Sequence, residues 1–247
     1  MPIGLSKEQL LDAKIVGDHL RMLKDNFIST LNNQTCLDFT AAVVCHEEHT
    51  EETRKQILEL FERHAKFKAE VITLSGLNAA IGRAYGDGKF VLTRLDDDDF
   101  VYNGAVADIH AFAETVTGIS MYGFCRGFTY QKGTHDMHDF FCTYGGEGHN
   151  SIFQSVCLDS SAVPFRPWPG RYTFNHVKAK QYLSQFKDVK TDFVQDVTTD
   201  AFVYFKHPDS SSRSMAVQSS TKKFRLTDED RNSFKLKFGI DFDKVND

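Results

Sequence analysis

Between residues 39 and 95 the sequence switches repeatedly between two hydrophobic periods, and that alternation most limits the fold. Phe39 to Cys45 is a short, nearly continuous apolar run containing Val43 and Val44. A run of strand length without polar alternation suits a strand buried on both faces of a parallel sheet. Residues 50–65 carry one apolar stripe, Ile57, Leu60, Phe61 and Ala65, which predicts a helix. Glu51 and Glu52 fall in its first turn, where carboxylates favour the positive end of the helix dipole. Val71-Ile-Thr-Leu is the next strand-sized run, and Lys89-Phe-Val-Leu-Thr-Arg-Leu the one after. Strand, helix, strand, intervening segment, strand is the grammar of a parallel α/β sheet flanked by helices.

The flanking sequence fits the same class. Ser6 to about Leu31 reads as a helix with an interruption, with Ser6 as cap and Leu20, Leu23, Phe27 and Leu31 at helical spacing. Asn32-Asn33-Gln34-Thr35 ends that pattern. Beyond Asp99 a helix is expected through Val116, burying Val106, Ile109, Phe112, Ala113 and Val116. Residues 118–165 are β-rich and hold many glycines, Gly145-Gly146-Glu147-Gly148 among them. Val177 to Phe186 predicts a helix, Ala201 to Phe205 a strand running into Lys206-His207, and Asp228 to Phe238 a last helix. With no internal repeat, long linker or compositional break, residues 1–247 form one expected domain. The pattern differs between about 1–117, where helices and strands alternate, and about 118–247, which opens on β-rich stretches with many glycines.

Charge narrows the partners. A formal net charge of −5 argues against nucleic acid, which is bound through clustered Lys and Arg. A nucleotide diphosphate is still a possible ligand when a metal ion brings the positive charge. Cys36, Cys45, Cys125, Cys142 and Cys157 contain no Cys-x-x-Cys pair, so reduced, mostly buried thiols in a cytoplasmic protein are expected. The N-terminal residues lack a basic segment followed by an apolar stretch, so no signal peptide is expected. No apolar run approaches the ~20 residues of a spanning helix.

Asp96-Asp97-Asp98-Asp99 follows directly on the apolar run that begins at Lys89. In parallel α/β sheets, ligands bind beyond the C-terminal ends of strands. Four adjacent carboxylates repel one another unless a cation or water screens them, and hard divalent ions take such oxygen ligands. Taken alone, a charge run is more often a solvated loop or a cap for the helix that follows. Arg94 within the strand, and the apolar-striped helix after the tetrad, favour a site. An EF-hand is excluded, because Phe100 and Val101 stand where a ligand and a glycine are required. There is no Gly-x-Ser-x-Gly elbow and no phosphate-binding Gly-x-x-x-x-Gly-Lys-Ser/Thr loop, and Gly86-Asp-Gly88 is no dinucleotide fingerprint.

Arg94-Leu95-Asp96-Asp97-Asp98-Asp99 resembles the Arg-Leu-Asp-x-Asp-Asp signature of a bacterial and viral rhamnosyltransferase-like group within the GT-A glycosyltransferases. Arg21 through Asn26, Ser29-Thr30-Leu31, Gln34-Thr35 and Asp38-Phe39 are similar to that group's helix-to-strand entry. Val203-Tyr204-Phe205-Lys206-His207 and Phe238-Gly239-Ile240 resemble its late strand and its C-terminal helix end. The likeness runs from about residue 20 to 240, and the acidic motif is its most specific part. It implies a GT-A, Rossmann-like fold with a mixed, mostly parallel sheet. It also implies a hexosyl-type transferase, a rhamnosyltransferase being one candidate, that uses Mn²⁺ or Mg²⁺ and a nucleotide-sugar donor to glycosylate a carbohydrate or glycoconjugate. A GT-A domain opens on a strand that contacts the nucleobase, and Met1–Leu5 is too short to supply one.

On that resemblance Asp98 would be the principal metal ligand, Asp99 a second ligand or its orienter, and His207 a third. Arg94, Asp96 and Asp97 would border the nucleotide. His176 is a second candidate for the role of His207 or for acceptor contact, although a structural role fits it better. Inverting transfer needs a general base, commonly a carboxylate. Asp159 is the first candidate and Glu147 the second, with Asp136 and Asp139 behind them. His135-Asp136-Met137-His138-Asp139 reads as a polar loop near the acceptor, and His46-Glu47-Glu48-His49 as a loop at the sheet's ligand edge. Two other functions fit the same carboxylates: a metal-dependent hydrolase or phosphodiesterase, and a non-catalytic sugar- or cation-binding relative.

Overall fold

The computed structural model describes residues 8, 11–86, 88–132, 136–141, 154–161, 163, 186, 191–206 and 223–246 of the chain. The first helix, α1, runs Ala13–Met22, widens into a π-helical turn at Leu23–Ile28 and closes with an α turn at Ser29–Asn32. The π turn is the interruption expected in this helix. Asp12 caps it, accepting from the backbone N–H of Lys14 at 2.9 Å and Ile15 at 3.1 Å. The expected cap, Ser6, lies outside the described residues.

A βαβ unit follows: β1 (Thr40–Cys45), α2 (Glu51–His64) and β2 (Lys68–Thr73). β1 and β2 pair in parallel, Thr40 opposite Lys68 through Cys45 opposite Thr73. Thr50 caps α2 by accepting from the Thr53 N–H at 3.1 Å. Ile57 and Phe61, on the expected stripe, bury against Leu23, Ile28 and Leu31 of α1 and against Ala41 and Cys45 of β1. Each such side chain contributes roughly 1.5–3 kcal/mol by leaving water.

The rest of the chain builds a second, larger sheet. Its elements are α3 (Leu77–Ala84), β3 (Lys89–Thr93), β4 (Phe100–Val101), α4 (Ala105–Thr115), β5 (Ile119–Gln131), β6 (Asp136–Phe141), β7 (Ser155–Asp159), β8 (Thr191–Lys206), β9 (Lys223–Arg225), α5 (Asp228–Phe238) and α6 (Phe242–Asn246). β5 is the spine. β8 runs parallel along one edge, with β4 antiparallel beyond it. On the other edge β7 and β6 pair antiparallel with its two halves, and lead out to β3 and β9.

The fold is therefore mixed α/β, but the expectation of a mostly parallel sheet is corrected. Among the described pairings of the large sheet only β5–β8 is parallel. Unbroken apolar runs had suggested parallel strands. In this sheet the double-sided burial comes from helices on both faces of largely antiparallel strands. α4 covers one face through Val106, Ile109 and Ala113. On the other, α3 packs over Ile119 and Met121 while α5 and α6 pack over Tyr130 and Val203.

That second face carries odd-numbered β5 residues at one end and even-numbered residues at the other. The parity changes at irregularities between Phe124 and Gly127, as a β-bulge requires. Gly127 is indispensable there, because a Cβ on it would stand 2.4 Å from the Phe202 carbonyl oxygen.

α1 is bolted to this sheet as well. The Thr30 hydroxyl accepts from the Val101 N–H and is placed to donate to its carbonyl, both at 2.9 Å. Gln34 donates to the Tyr102 carbonyl at 2.9 Å and accepts from the Val106 N–H at 3.1 Å, supplying a cap for α4.

Candidate functional site

The acidic tetrad occupies the connection from β3 to β4, at the C-terminal end of β3, and the local hydrogen bonds give each carboxylate a different setting. The Arg94 N–H donates to the Gln154 carbonyl at 3.3 Å, extending the β3–β7 ladder by one residue. The Arg94 guanidinium then folds onto Asp96, with Nε and Nη2 at 2.8 and 2.6 Å from Oδ1. Asp97 and Asp98 make the turn, both half-buried, and the Asp99 N–H reaches back to the Asp96 carbonyl at 3.4 Å.

Asp99 faces inward and is 1% exposed. Its Oδ1 accepts from the Phe205 N–H of β8 at 3.3 Å. Burial, reinforced by the negative charges of Asp98 and Asp96, pushes its carboxyl well above the usual carboxylate range. Such a group suits anchoring the turn to β8 better than facing a cation.

Asp97 meets a residue the sequence reading passed over. His19, buried on α1, brings Nδ1 to 3.4 Å from Asp97 Oδ2. Burial alone would raise the Asp97 carboxyl; neighbouring charge and hydrogen bonding, His19 included, hold it below its ordinary value instead. A signal was present in the sequence, because His19 precedes Leu23 by four residues and so lies on the buried stripe of α1.

The loop after β1 belongs to the same neighbourhood. His49 is 2% exposed, and its Nδ1 is buried without a hydrogen-bond partner. Burial first, then the nearby His46, His19 and Arg54, hold its imidazole below the ordinary histidine pKa and so neutral at neutral pH. His46 is exposed, with Nδ1 accepting from the Glu48 N–H at 3.1 Å. Glu47 is turned away to the Ser75 N–H at 2.7 Å.

Asp159 is not brought to the tetrad. It pairs in register with Lys89, at the start of β3, whereas the tetrad lies beyond the end of that strand. At ~3.3 Å per residue that separation is roughly 20 Å. Ser161 and Lys89, the latter at 2.9 Å, hold its carboxyl down at about 2, which makes it a poor proton acceptor at neutral pH. His138, Asp136 and Asp139 fall in strand β6, not in the expected loop, and Asp136 pairs with Lys223 at 2.7 Å. Glu147, His176 and His207 lie outside the described residues, as does the helix expected from Val177. Phe205 of β8, two residues before His207 in sequence, is the residue that binds Asp99.

Among the described residues, no group of three or more His, Cys, Asp or Glu side chains is gathered tightly enough to hold a metal ion alone. Mg²⁺ and Mn²⁺ bind phosphates through one or two carboxylates, with water and substrate oxygens completing the shell. Among the described residues no helix is long and apolar enough to cross a membrane. No protein-family model matches the sequence, and no curated protein matches it.

Proposed function

We propose that the chain is a cation-dependent glycosyltransferase of the GT-A type, acting on a nucleoside-diphosphate sugar and a carbohydrate or glycoconjugate acceptor. The observation that carries the reading is the division of labour within the tetrad. Arg94 engages Asp96, His19 engages Asp97 and β8 engages Asp99, so the four carboxylates of the turn beyond β3 stand in four different settings. When bound there, Mn²⁺ or Mg²⁺ would neutralise the diphosphate as it departs from the sugar. The Arg94–Asp96 pair sets the approach to the turn, and Asp99 fixes its far side to β8. Asp98 presents the principal carboxylate. His207, the next residue in sequence after Lys206, is the candidate imidazole, and the general base is sought outside Asp159.

Thermal shift with a panel of nucleoside diphosphates, with and without Mn²⁺, tests the proposal. One base should raise the melting temperature only when Mn²⁺ is present, and Asp98→Asn should abolish that rise. At a ligand concentration 100 times Kd the stabilisation is about 2.7 kcal/mol. The proposal fails if no nucleotide gives an Mn²⁺-dependent shift, or if Asp98→Asn leaves one intact. Release of free phosphate or nucleotide without an acceptor, faster than sugar transfer, would favour a hydrolase instead.

A further inference from the structure

The described cysteines fall into two kinds. Cys125 and Cys157 are fully buried, and Cys45 is 1% exposed. Burial pushes the Cys45 thiol up and that of Cys157 to about 12, so neither holds appreciable thiolate at neutral pH. Thiolate is the reactive form, and thiols so buried are inert packing groups. Cys36 is only half-buried, and its Sγ stands 3.8 Å from Nδ1 of His110 on α4.

That approach is built into the fold. Cys36 follows Gln34, whose side chain caps α4, and Thr35, whose backbone N–H donates to the Asn103 carbonyl at 2.8 Å. These bonds hold the segment after α1 against the start of α4, and His110 lies in the second turn of that helix. Cys36 packs against the edge of the core under α4, as do Phe39, Tyr102 and Phe112. The contact with Cys36 is the one hydrogen bond of the His110 ring among the described residues, and no carboxylate there reaches ion-pair distance of it. With its proton on Nε2, the imidazole accepts from the thiol through Nδ1. An imidazole so placed takes the thiol proton as the sulfur attacks, which is how a neighbouring base activates a cysteine.

We propose that Cys36 and His110 form a reactive thiol–imidazole pair, an oxidation site for hydroperoxides at the joint between α1 and α4. His110 Nδ1 takes the proton from the thiol, and the sulfur attacks the terminal oxygen of the hydroperoxide. An S–O bond forms as the O–O bond breaks, and the departing hydroxide or alkoxide takes the proton from the imidazolium. Cys36 is oxidised to a sulfenic acid, and the hydroperoxide is reduced to water or an alcohol. No residue of the acidic tetrad takes part, so the pair stands or falls apart from the cation reading.

Hydrogen peroxide is the probe for the intact chain, with a chelator to exclude metal chemistry and a cyclic diketone to trap sulfenic acid. Peptide mass spectrometry then gives the rate at each cysteine. Cys36 should react roughly tenfold or more ahead of Cys45, Cys125 and Cys157, and ahead of an unstructured cysteine peptide, because reactivity follows the thiolate fraction. His110→Ala should slow Cys36 at least about tenfold, and added imidazole should restore part of the loss, which no merely structural role predicts. His110→Gln, closer in size, should be as slow, and it carries the test where the smaller variant folds poorly.

A Cys36 no faster than the unstructured peptide overturns the proposal. So does a fast Cys36 that is indifferent to both His110 variants, which would mark it as an accessible thiol and nothing more.

Discussion

The two sheets are stabilised by different means, and the candidate site draws on both. In the small sheet β1 and β2 pair, among the described residues, only with each other. Two strands alone are marginal in water, so this unit depends on α1 and α2 closing over Ala41 and Cys45. In the large sheet β5 has strands along both edges and helices over both faces, and most of its residues are buried. Asp99 is tied to the large sheet through β8, whereas His49 follows the small one and His19 rides on α1. One wall of the site is thus fixed by a dense ladder and the other by side-chain packing. Ligand binding should be felt most on the packed wall.

Core truncation gives the strongest test of that contrast. Phe124, fully buried under α4, should cost about 3–5 kcal/mol when replaced by Ala. Ile57→Ala, at an equally buried position in the small sheet, should cost roughly 2–5 kcal/mol. Hydrogen exchange separates the two. Ile57→Ala should accelerate exchange in β1, α2 and β2 while β5 and β8 keep their protection, and Phe124→Ala should loosen the whole molecule. Equal acceleration everywhere in Ile57→Ala would show that the sheets unfold as one unit.

A smaller effect is expected at the bulge that lets one face of β5 serve two sets of helices. Gly127→Ala forces a methyl group against the Phe202 carbonyl and should cost about 1–3 kcal/mol, or more if the β5–β8 register cannot relax. The joint between the two regions should be of similar size. Thr30→Val leaves the buried N–H and C=O of Val101 without the hydroxyl that serves them, for a loss of about 1–3 kcal/mol in chemical denaturation. Thr30→Ser retains the hydroxyl and should recover most of it.

The small sheet was legible in the sequence because its hydrophobic periods report local geometry. The helix expected over 50–65 is Glu51–His64, and the strand expected over 39–45 is Thr40–Cys45. The last helix, too, is Asp228–Phe238 as expected, bounded by the Thr227 capping box and by left-handed Gly239. Strand direction in the large sheet was not legible. Burial on both faces looks the same in a run of residues whether the neighbouring strand is parallel or antiparallel, and the pairing of β3 with β7 joins segments more than 60 residues apart. The tetrad was visible as composition, but its partners were not. Arg94 is close in sequence to Asp96, whereas His19 and Phe205 approach from 78 and 106 residues away. Asp159 misled because an acid after an apolar strand looks the same at either end of a sheet. Only its register with Lys89 places it away from the tetrad.

The subtlest expected effect separates an anchoring carboxyl from a ligating one. Asp99 is buried, and its folded-state pKa lies above the ordinary value because of that burial and the charges of Asp98 and Asp96. Between the ordinary value, about 3.9, and the raised one, the unfolded chain has released a proton that the folded chain keeps. Stability therefore falls as pH rises through that window, and at neutral pH the native state bears the penalty. Asparagine cannot ionise, yet its carbonyl can still accept from the Phe205 N–H. In metal-free protein Asp99→Asn should melt slightly above the wild type at pH 7, with the advantage fading as pH approaches 4. Mn²⁺ binding should survive the substitution. A lower melting temperature at pH 7, or loss of Mn²⁺ binding equal to that of Asp98→Asn, would return Asp99 to the cation and make the large-sheet wall of the site a ligand in its own right.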